Sequence, residues 1–262
     1  EITTRLVGSE MCIRDRRRAK RRDAFKSFFN NYLVKSKKSY TPQNIGELKN
    51  DYDLFISGSD QVWSPRCVGF DPAYFLTFAD DKQKYSYAAS FAVPTLPDEF
   101  IDEYKKRLNG FQKFSVREPS GEKLVKELTG RTAETHLDPT LLISADEWKK
   151  IAVSKIDKPY ILIFTANPAV SLVDFALKLS KEKKLPVYCI NDAPHPVSHG
   201  INYIVAPTVE EFVGCFKNAE YVVTNSFHGT AFSVIFNKNL FVEFKNKSGR
   251  NIRSEGLLKS LG

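Results

Sequence analysis

From residue 160 onward, short apolar runs alternate with stretches of helical periodicity, and that alternation constrains the fold more than anything else in the chain. Tyr160–Phe164 (YILIF), Val187–Ile190, Tyr203–Val205, Tyr221–Thr224 and Leu240–Phe244 read as buried strands. Val170–Lys183, Thr208–Phe216 and Gly229–Phe236 read as the helices between them. A strand and a helix in turn, at this spacing, predict βαβ units and a parallel sheet covered on both faces. The composition supports such a core: of 262 residues, 42% are hydrophobic and 13% aromatic, which is not the make-up of a disordered chain.

The first half alternates less regularly. Ala24–Val34 reads as a helix with Phe25, Phe28, Phe29, Tyr32 and Leu33 on one side. Asp53–Ser57, Lys84–Ser90 and Phe114–Arg117 read as strands, and Pro97–Leu108 and Pro119–Leu128 as helices. Thr135–Asp138 closes this half. Ser144–Ile151 follows as a helix with the Ser144/Glu147 spacing of a capping box, and Lys155–Pro159 reads as a linker. The domains are therefore expected at 24–154 and 155–262. Residues 1–23 are set aside as an artefact or a disordered basic segment, because Val7–Arg16 (VGSEMCIRDR) resembles a translated sequencing adapter. The chain is expected to be cut at both ends, since it opens on Glu1 and stops at Gly262 inside a helix-like pattern with Ile252, Leu257, Leu258 and Leu261.

The net charge of +8 owes much to Arg14–Arg22, RDRRRAKRR. Aromatic residues do not interleave with this run, so a solvated basic helix or tail is favoured over a nucleic-acid or acidic-membrane contact. Cys12, Cys67, Cys189 and Cys215 form no CxxC pair, which points to thiols in a reducing compartment and to no structural metal. No apolar run reaches membrane-spanning length, and the N-terminal region has no signal-peptide core.

In open parallel sheets, ligands bind beyond the C-terminal ends of the strands. Four clusters occupy such places. Gly58-Ser59-Asp60-Gln61-Val62-Trp63 follows the DLFIS strand: the glycine admits close backbone approach, and Asp60 suits a base or a group that orients a hydroxyl, with an ordinary capped turn as the other reading. Arg117 leaves a strand where its guanidinium suits phosphate or carboxylate, the other reading being an ion pair with Glu118 or Glu122. Asp138-Pro139-Thr140 reads mainly as a strand-ending turn. Asn225-Ser226-Phe227-His228-Gly229-Thr230 joins a strand to an apolar helix, where unpaired N–H groups and the helix dipole favour an anion. There His228 can donate a proton, and Gly229 permits close approach to a ligand. His136, His195 and His199 are weaker candidates, and Pro194 and Pro196 speak against a helical metal-binding pair. No Walker loop, GxGxxG or GxSxG elbow is present.

In order along the chain, DLFISGSDQVW (Asp53–Trp63), YSYAASF (Tyr85–Phe91), FSVRE (Phe114–Glu118), LDPTLL (Leu137–Leu142) with Trp148, and TNSFHGTAFSVIF (Thr224–Phe236) resemble the polysaccharide pyruvyl transferase family. The resemblance implies two Rossmann-like domains with parallel sheets, similar to twin-Rossmann (GT-B-like) glycosyltransferases, with the active site in the cleft between them. By the same resemblance the N-terminal domain is incomplete: its opening strand and glycine-containing turn are missing, and the last helix is cut short. The implied donor is phosphoenolpyruvate and the implied acceptor a glycan or lipid-linked oligosaccharide, with no cofactor, no metal and no nucleic acid. A cytoplasmic location follows, at the inner membrane face with a peripheral membrane contact. The resemblance implies His228, Arg117 and Asp60 as catalytic residues. It implies Gly58, Ser59, Ser90, Asn225, Ser226, Phe227, Gly229, Thr230, Arg250 and Arg253 as substrate-binding residues. Of the basic residues Lys247, Arg250 and Arg253, the last fits the family spacing to Leu257-Leu258 best. Two other readings remain open: a nucleotide-sugar glycosyltransferase of similar fold, and a non-catalytic carbohydrate-binding homologue.

Overall fold

A computed structural model of the chain describes residues 2–36, 38–66, 70–166, 169–190, 199–244 and 252–261. In chain order the elements begin with α1 (Ile2–Tyr32), β1 (Phe55–Ser57), β2 (Lys84–Ser86), α2 (Ile101–Leu108), β3 (Ser115–Val116), α3 (Pro119–Thr129) and β4 (Glu134–Thr135). They continue with α4 (Ala145–Ile151), β5 (Ile161–Phe164), α5 (Val170–Lys183), β6 (Val187–Ile190), β7 (Ile201–Ile204), α6 (Val209–Asn218), β8 (Tyr221–Thr224), α7 (Phe227–Ile235), β9 (Asn239–Val242) and α8 (Ile252–Ser260). The protein is α/β with parallel sheets, as the alternation predicts. It divides into two compact units, one of Ser36–Leu142 with Lys245–Gly262, the other of Glu1–Lys35 with Ile143–Phe244. The basic run lies on α1, where Phe25, Phe29 and Tyr32 stay exposed.

In the second of these units five parallel strands lie in the order β7-β6-β5-β8-β9. Side chains alternate along β5. Ile161 and Ile163 pack with Leu172, Ala176 and Leu179 of α5, while Tyr160 and Leu162 pack with Val213 and Phe216 of α6 and Phe232 of α7. The sheet is therefore buried on both faces, which explains why its strands read as continuous apolar runs. β5 leads to β6 on one side while β8 leads to β9 on the other, so the order reverses between β5 and β8. That crevice is where open α/β sheets take their ligands. The helices start where their caps dictate. Thr208 and Glu211 form a reciprocal capping box on α6, and Ser226 caps α7 through the N–H of Gly229 at 3.4 Å. α7 thus begins at Phe227 rather than at Gly229.

In the other unit, β1 pairs with β2 and β3 with β4, all parallel, and bridges Tyr85–Lys113 and Ala89–Val116 join the pairs. Trp63 anchors its core, fully buried among Phe75, Phe91, Phe111 and Phe114, with Nε1 donating to the carbonyl of Tyr74 at 3.1 Å. Tyr104 Oη donates to the Trp63 carbonyl at 2.6 Å. These contacts pin the loop that follows β1. β2 stops at Ser86 instead of continuing to Ser90. Beyond it the chain turns at Ala88 (φ 48°) and Ala92 (φ 56°), and Glu118 Oε1 accepts the N–H groups of Phe91 (3.0 Å) and Ala92 (3.2 Å) and the hydroxyl of Ser90 (2.8 Å). Past the isolated bridges of Ala89 to Asp60 and Val116, a carboxylate holding three donors takes over from strand pairing.

Cys189 and Cys215 are buried, unbonded thiols, and burial pushes them up to about 11 and about 12. Both therefore stay protonated and unreactive near neutral pH. Among the described residues no helix is long and apolar enough to cross a membrane. A Cβ at Gly214 of α6 would stand 2.0 Å from the Val153 carbonyl oxygen, a backbone atom, whereas one at Gly46 meets nothing within 4 Å. Gly214→Ala should destabilise the chain by about 1–3 kcal/mol in urea denaturation, with Gly46→Ala close to neutral. Equal midpoints for the two variants would contradict this packing.

Candidate functional site

In the unit built on β1 to β4, charges gather past the C-terminal ends of three strands. β1 runs into Ser59 and Asp60, β3 into Arg117, and β4 into Asp138. The Arg117 side chain is 1% exposed. Nη1 donates to Asp138 Oδ2 at 2.7 Å and Nη2 to Asp60 Oδ1 at 3.1 Å, partners 21 and 57 residues away in sequence. The alternative ion pair with Glu118 or Glu122 gives way to these two, because Glu118 is turned to the Ser90–Ala92 loop and Glu122 accepts from Thr135 Oγ1 at 2.5 Å. A guanidinium this buried needs anionic partners, since its desolvation is otherwise uncompensated.

Asp138 is 3% exposed. Its Oδ2 also accepts from Ser59 Oγ at 2.9 Å, and its Oδ1 from the N–H (3.0 Å) and hydroxyl (2.7 Å) of Thr140. Burial, the largest single influence, pushes its carboxyl up. The hydrogen bonds from Arg117 and Thr140, with the Arg117 charge, outweigh burial and hold it below the usual carboxylate range. The turn reading of Asp138-Pro139-Thr140 is thus half of the picture: the turn exists, and it also aims a carboxylate at Arg117.

Asp60 is the open end of the cluster, with its side chain 57% exposed and its backbone at φ 72°. A non-glycine residue in this left-handed region is strained unless its surroundings hold it there. They do: the Asp60 carbonyl accepts the Ser90 N–H at 2.9 Å, and Arg117 holds its carboxylate. Arg253, near the start of α8, lies 3.9 Å from Asp60 Oδ1 and donates to the Gln61 amide oxygen at 3.1 Å, the amide being oriented by this bond. Its side chain is 14% exposed. Gln61 belongs to the cluster that the sequence places after β1, but the sequence assigns it no role of its own. Gly58 is exposed, and a Cβ there would meet nothing within 4 Å. Ser90 is fully buried, its hydroxyl given to Glu118 and accepting the Ala92 N–H at 3.1 Å, so it shapes the loop behind Asp60. His136 lies past β4 too, with Nδ1 3.0 Å from Ser115 Oγ.

The five-stranded unit carries its own cluster at the β5/β8 crevice. Thr224 Oγ1 donates to the Phe164 carbonyl at 2.5 Å and accepts the Ser226 N–H at 3.0 Å. Asn225 Oδ1 accepts the Ala166 N–H at 3.0 Å, and its Nδ2 lies 3.4 Å from Glu243 Oε2. Glu243 also accepts from Ser171 Oγ. It sits just past β9, and the strand-end rule would have found it had β9 been read as ending at Val242. His228 is the second residue of α7, half-buried, its ring 5.3 Å from that of Phe227. Phe227 and Thr230 are buried, the Thr230 hydroxyl donating to the Ser226 carbonyl at 3.1 Å. The close approach expected of Gly229 is to protein: a Cβ would stand 2.2 Å from Thr224 Oγ1 and 3.2 Å from Phe164 Cδ1. Gly229 seats α7 on the sheet. Arg250, Lys247 and His195 lie outside the described residues, and among those described no three His, Cys, Asp or Glu side chains are grouped to hold a metal ion.

In open α/β proteins the edge beyond the C-terminal strand ends is where ligands bind. The polysaccharide pyruvyl transferase family model matches residues 5–242, and the chain belongs to that family. The membership marks it as a transferase acting on polysaccharide. A sequence search of curated proteins finds no match.

The direction of the Asp138 shift sets a pH dependence. A carboxyl that titrates below its unfolded value of about 3.9 contributes stability above that pH, and the contribution is lost as the pH falls through the folded-state value. Asp138→Asn should therefore be less stable than the parent near neutral pH, and the gap should close as the pH falls below about 4. Urea denaturation at stepped pH measures this, and a gap that persists at full size down to about pH 2 would contradict it.

Proposed function

We propose that this chain transfers pyruvate from phosphoenolpyruvate to two hydroxyls of one sugar in a cell-surface polysaccharide or its lipid-linked precursor, closing a cyclic ketal and releasing phosphate. The reaction takes place in the cytoplasm, where both the donor and a lipid-linked acceptor are at hand. The observation that carries the reading is the strained, exposed Asp60 carboxylate held between Arg117 and Arg253 at the strand-end edge, in a chain of this family.

The chemistry asks for an acid, a base and positive charge. Protonation of the enol C3 makes C2 electrophilic. One sugar hydroxyl adds to C2 and gives up its proton. The C2–O bond to phosphate then breaks, and the second hydroxyl adds to the same carbon and loses its proton in turn. Two hydroxyl protons leave, one is gained at C3 and one goes to the departing phosphate. Asp60 takes a hydroxyl proton, since it is the open carboxylate of its cluster. Arg253 supplies charge for the anionic donor. In the five-stranded unit, the family resemblance supports a proton donor's role for His228, and the N-terminus of α7 suits an anion through its dipole.

Incubating the chain with phosphoenolpyruvate and a panel of glycans should release phosphate in step with pyruvylation of one acceptor, seen by mass spectrometry. No transfer across a broad panel would sink the reading. Asp60→Asn and His228→Ala should each lower kcat by about 10²–10⁴-fold, while Arg253→Ala should act mainly on the KM for the donor. Mild effects at both Asp60 and His228 would remove these assignments.

A further inference from the structure

We propose that Asp138 is the positioning residue of this site: it holds Arg117 and Ser59, and through them sets the carboxylate of Asp60. The proposal rests on the transferase reading above only for its kinetic arm.

Four observations carry it. First, the Asp138 carboxylate is buried and takes at least four donors, two on each oxygen, which fills its accepting capacity and leaves no place for substrate. Second, those donors come from the loops after three strands, Ser59 after β1, Arg117 after β3 and Thr140 after β4, so one carboxylate ties three strand ends together. Third, the contacts close a ring. Asp138 holds Ser59, Ser59 is bonded through the chain to Asp60, Asp60 accepts from Arg117, and Arg117 returns to Asp138. Asp60 is thus fixed from two directions, through its backbone neighbour and through its own carboxylate. Fourth, Asp60 is the ring member at positive φ, and such a backbone persists only when its surroundings over-determine it.

An amide cannot fill this place. The side chain introduced by Asp138→Asn would present an NH2 group either to Arg117 and Ser59 or to Thr140, facing donors with a donor. Asp138→Glu keeps the charge but adds a methylene that pushes Arg117 out of line, so a positioning role tolerates it only in part.

The test uses the whole chain. Asp138→Asn should lower kcat by about 10²-fold with the KM for phosphoenolpyruvate within about threefold, the pattern of an interaction made only in the transition state. On an Asp60→Asn background the same change should cost less than about threefold, because Asp138 acts through Asp60. Equal losses in both backgrounds would mark a merely structural residue and overturn the proposal. Ser59→Ala, which leaves the charge pair in place, should lower kcat by a smaller factor, and it keeps the test alive if Asp138→Asn does not fold. A second arm needs no turnover. In nitrogen-15 NMR the Arg117 guanidinium should show slow rotation about its Cζ–Nη bonds, and Asp138→Asn or, if that variant fails to fold, Asp138→Glu should speed it. An unchanged rotation rate overturns the proposal. If the NMR arm behaves as expected while the parent chain transfers no pyruvate, the functional reading fails and the positioning role stands.

Discussion

Everything at the strand-end edge depends on one buried ion pair, Arg117 with Asp138. Neither group can sit there alone, because an unpaired charge in such a place costs several kcal/mol. The pair therefore fixes where the chain goes after β3 and after β4. With Ser59 added, it also fixes the path after β1. The Trp63 cluster does the same from below, since a fully buried indole just beyond Asp60 leaves that loop little freedom. Electrostatics and packing thus act on the same few residues, and together they can hold Asp60 in a backbone conformation that it would not adopt by itself.

The five-stranded unit reaches a comparable end by other means. Its β5/β8 crevice is organised by Thr224, Asn225 and Gly229, whose bonds run to backbone groups or whose small size lets a helix settle on the sheet. The strictest constraint there is steric. α7 can start beside β8 because residue 229 has no side chain, and this start places His228 and the positive end of the helix at the crevice.

The sequence told much about this fold, and the reasons are physical. β5, β6 and β8 were legible because strands buried on both faces must be apolar throughout. The places of Asp60, Arg117, Ser226 and His228 just past strand ends were legible because each follows a short apolar run in the sequence. Partners were harder. Asp138 has a sufficient local explanation as a turn residue, and nothing in local spacing joins it to an arginine 21 positions earlier. The burial of Ser90 and the 2.2 Å steric limit at Gly229 are tertiary facts that no local spacing shows. The early end of β2, read as running on to Ser90, was hidden for a similar reason: the turn after it is held by Glu118, from another strand end.

The proposed reaction is addition of sugar hydroxyls to a protonated enol. The direct measurement is to supply phosphoenolpyruvate carbon-13 labelled at C2, with acceptor glycan in deuterated water, and to follow the label by NMR. The label should move to a quaternary ketal carbon of the glycan whose neighbouring methyl group carries one deuteron. Label that remains in phosphoenolpyruvate, or a ketal methyl group without deuterium, would contradict it.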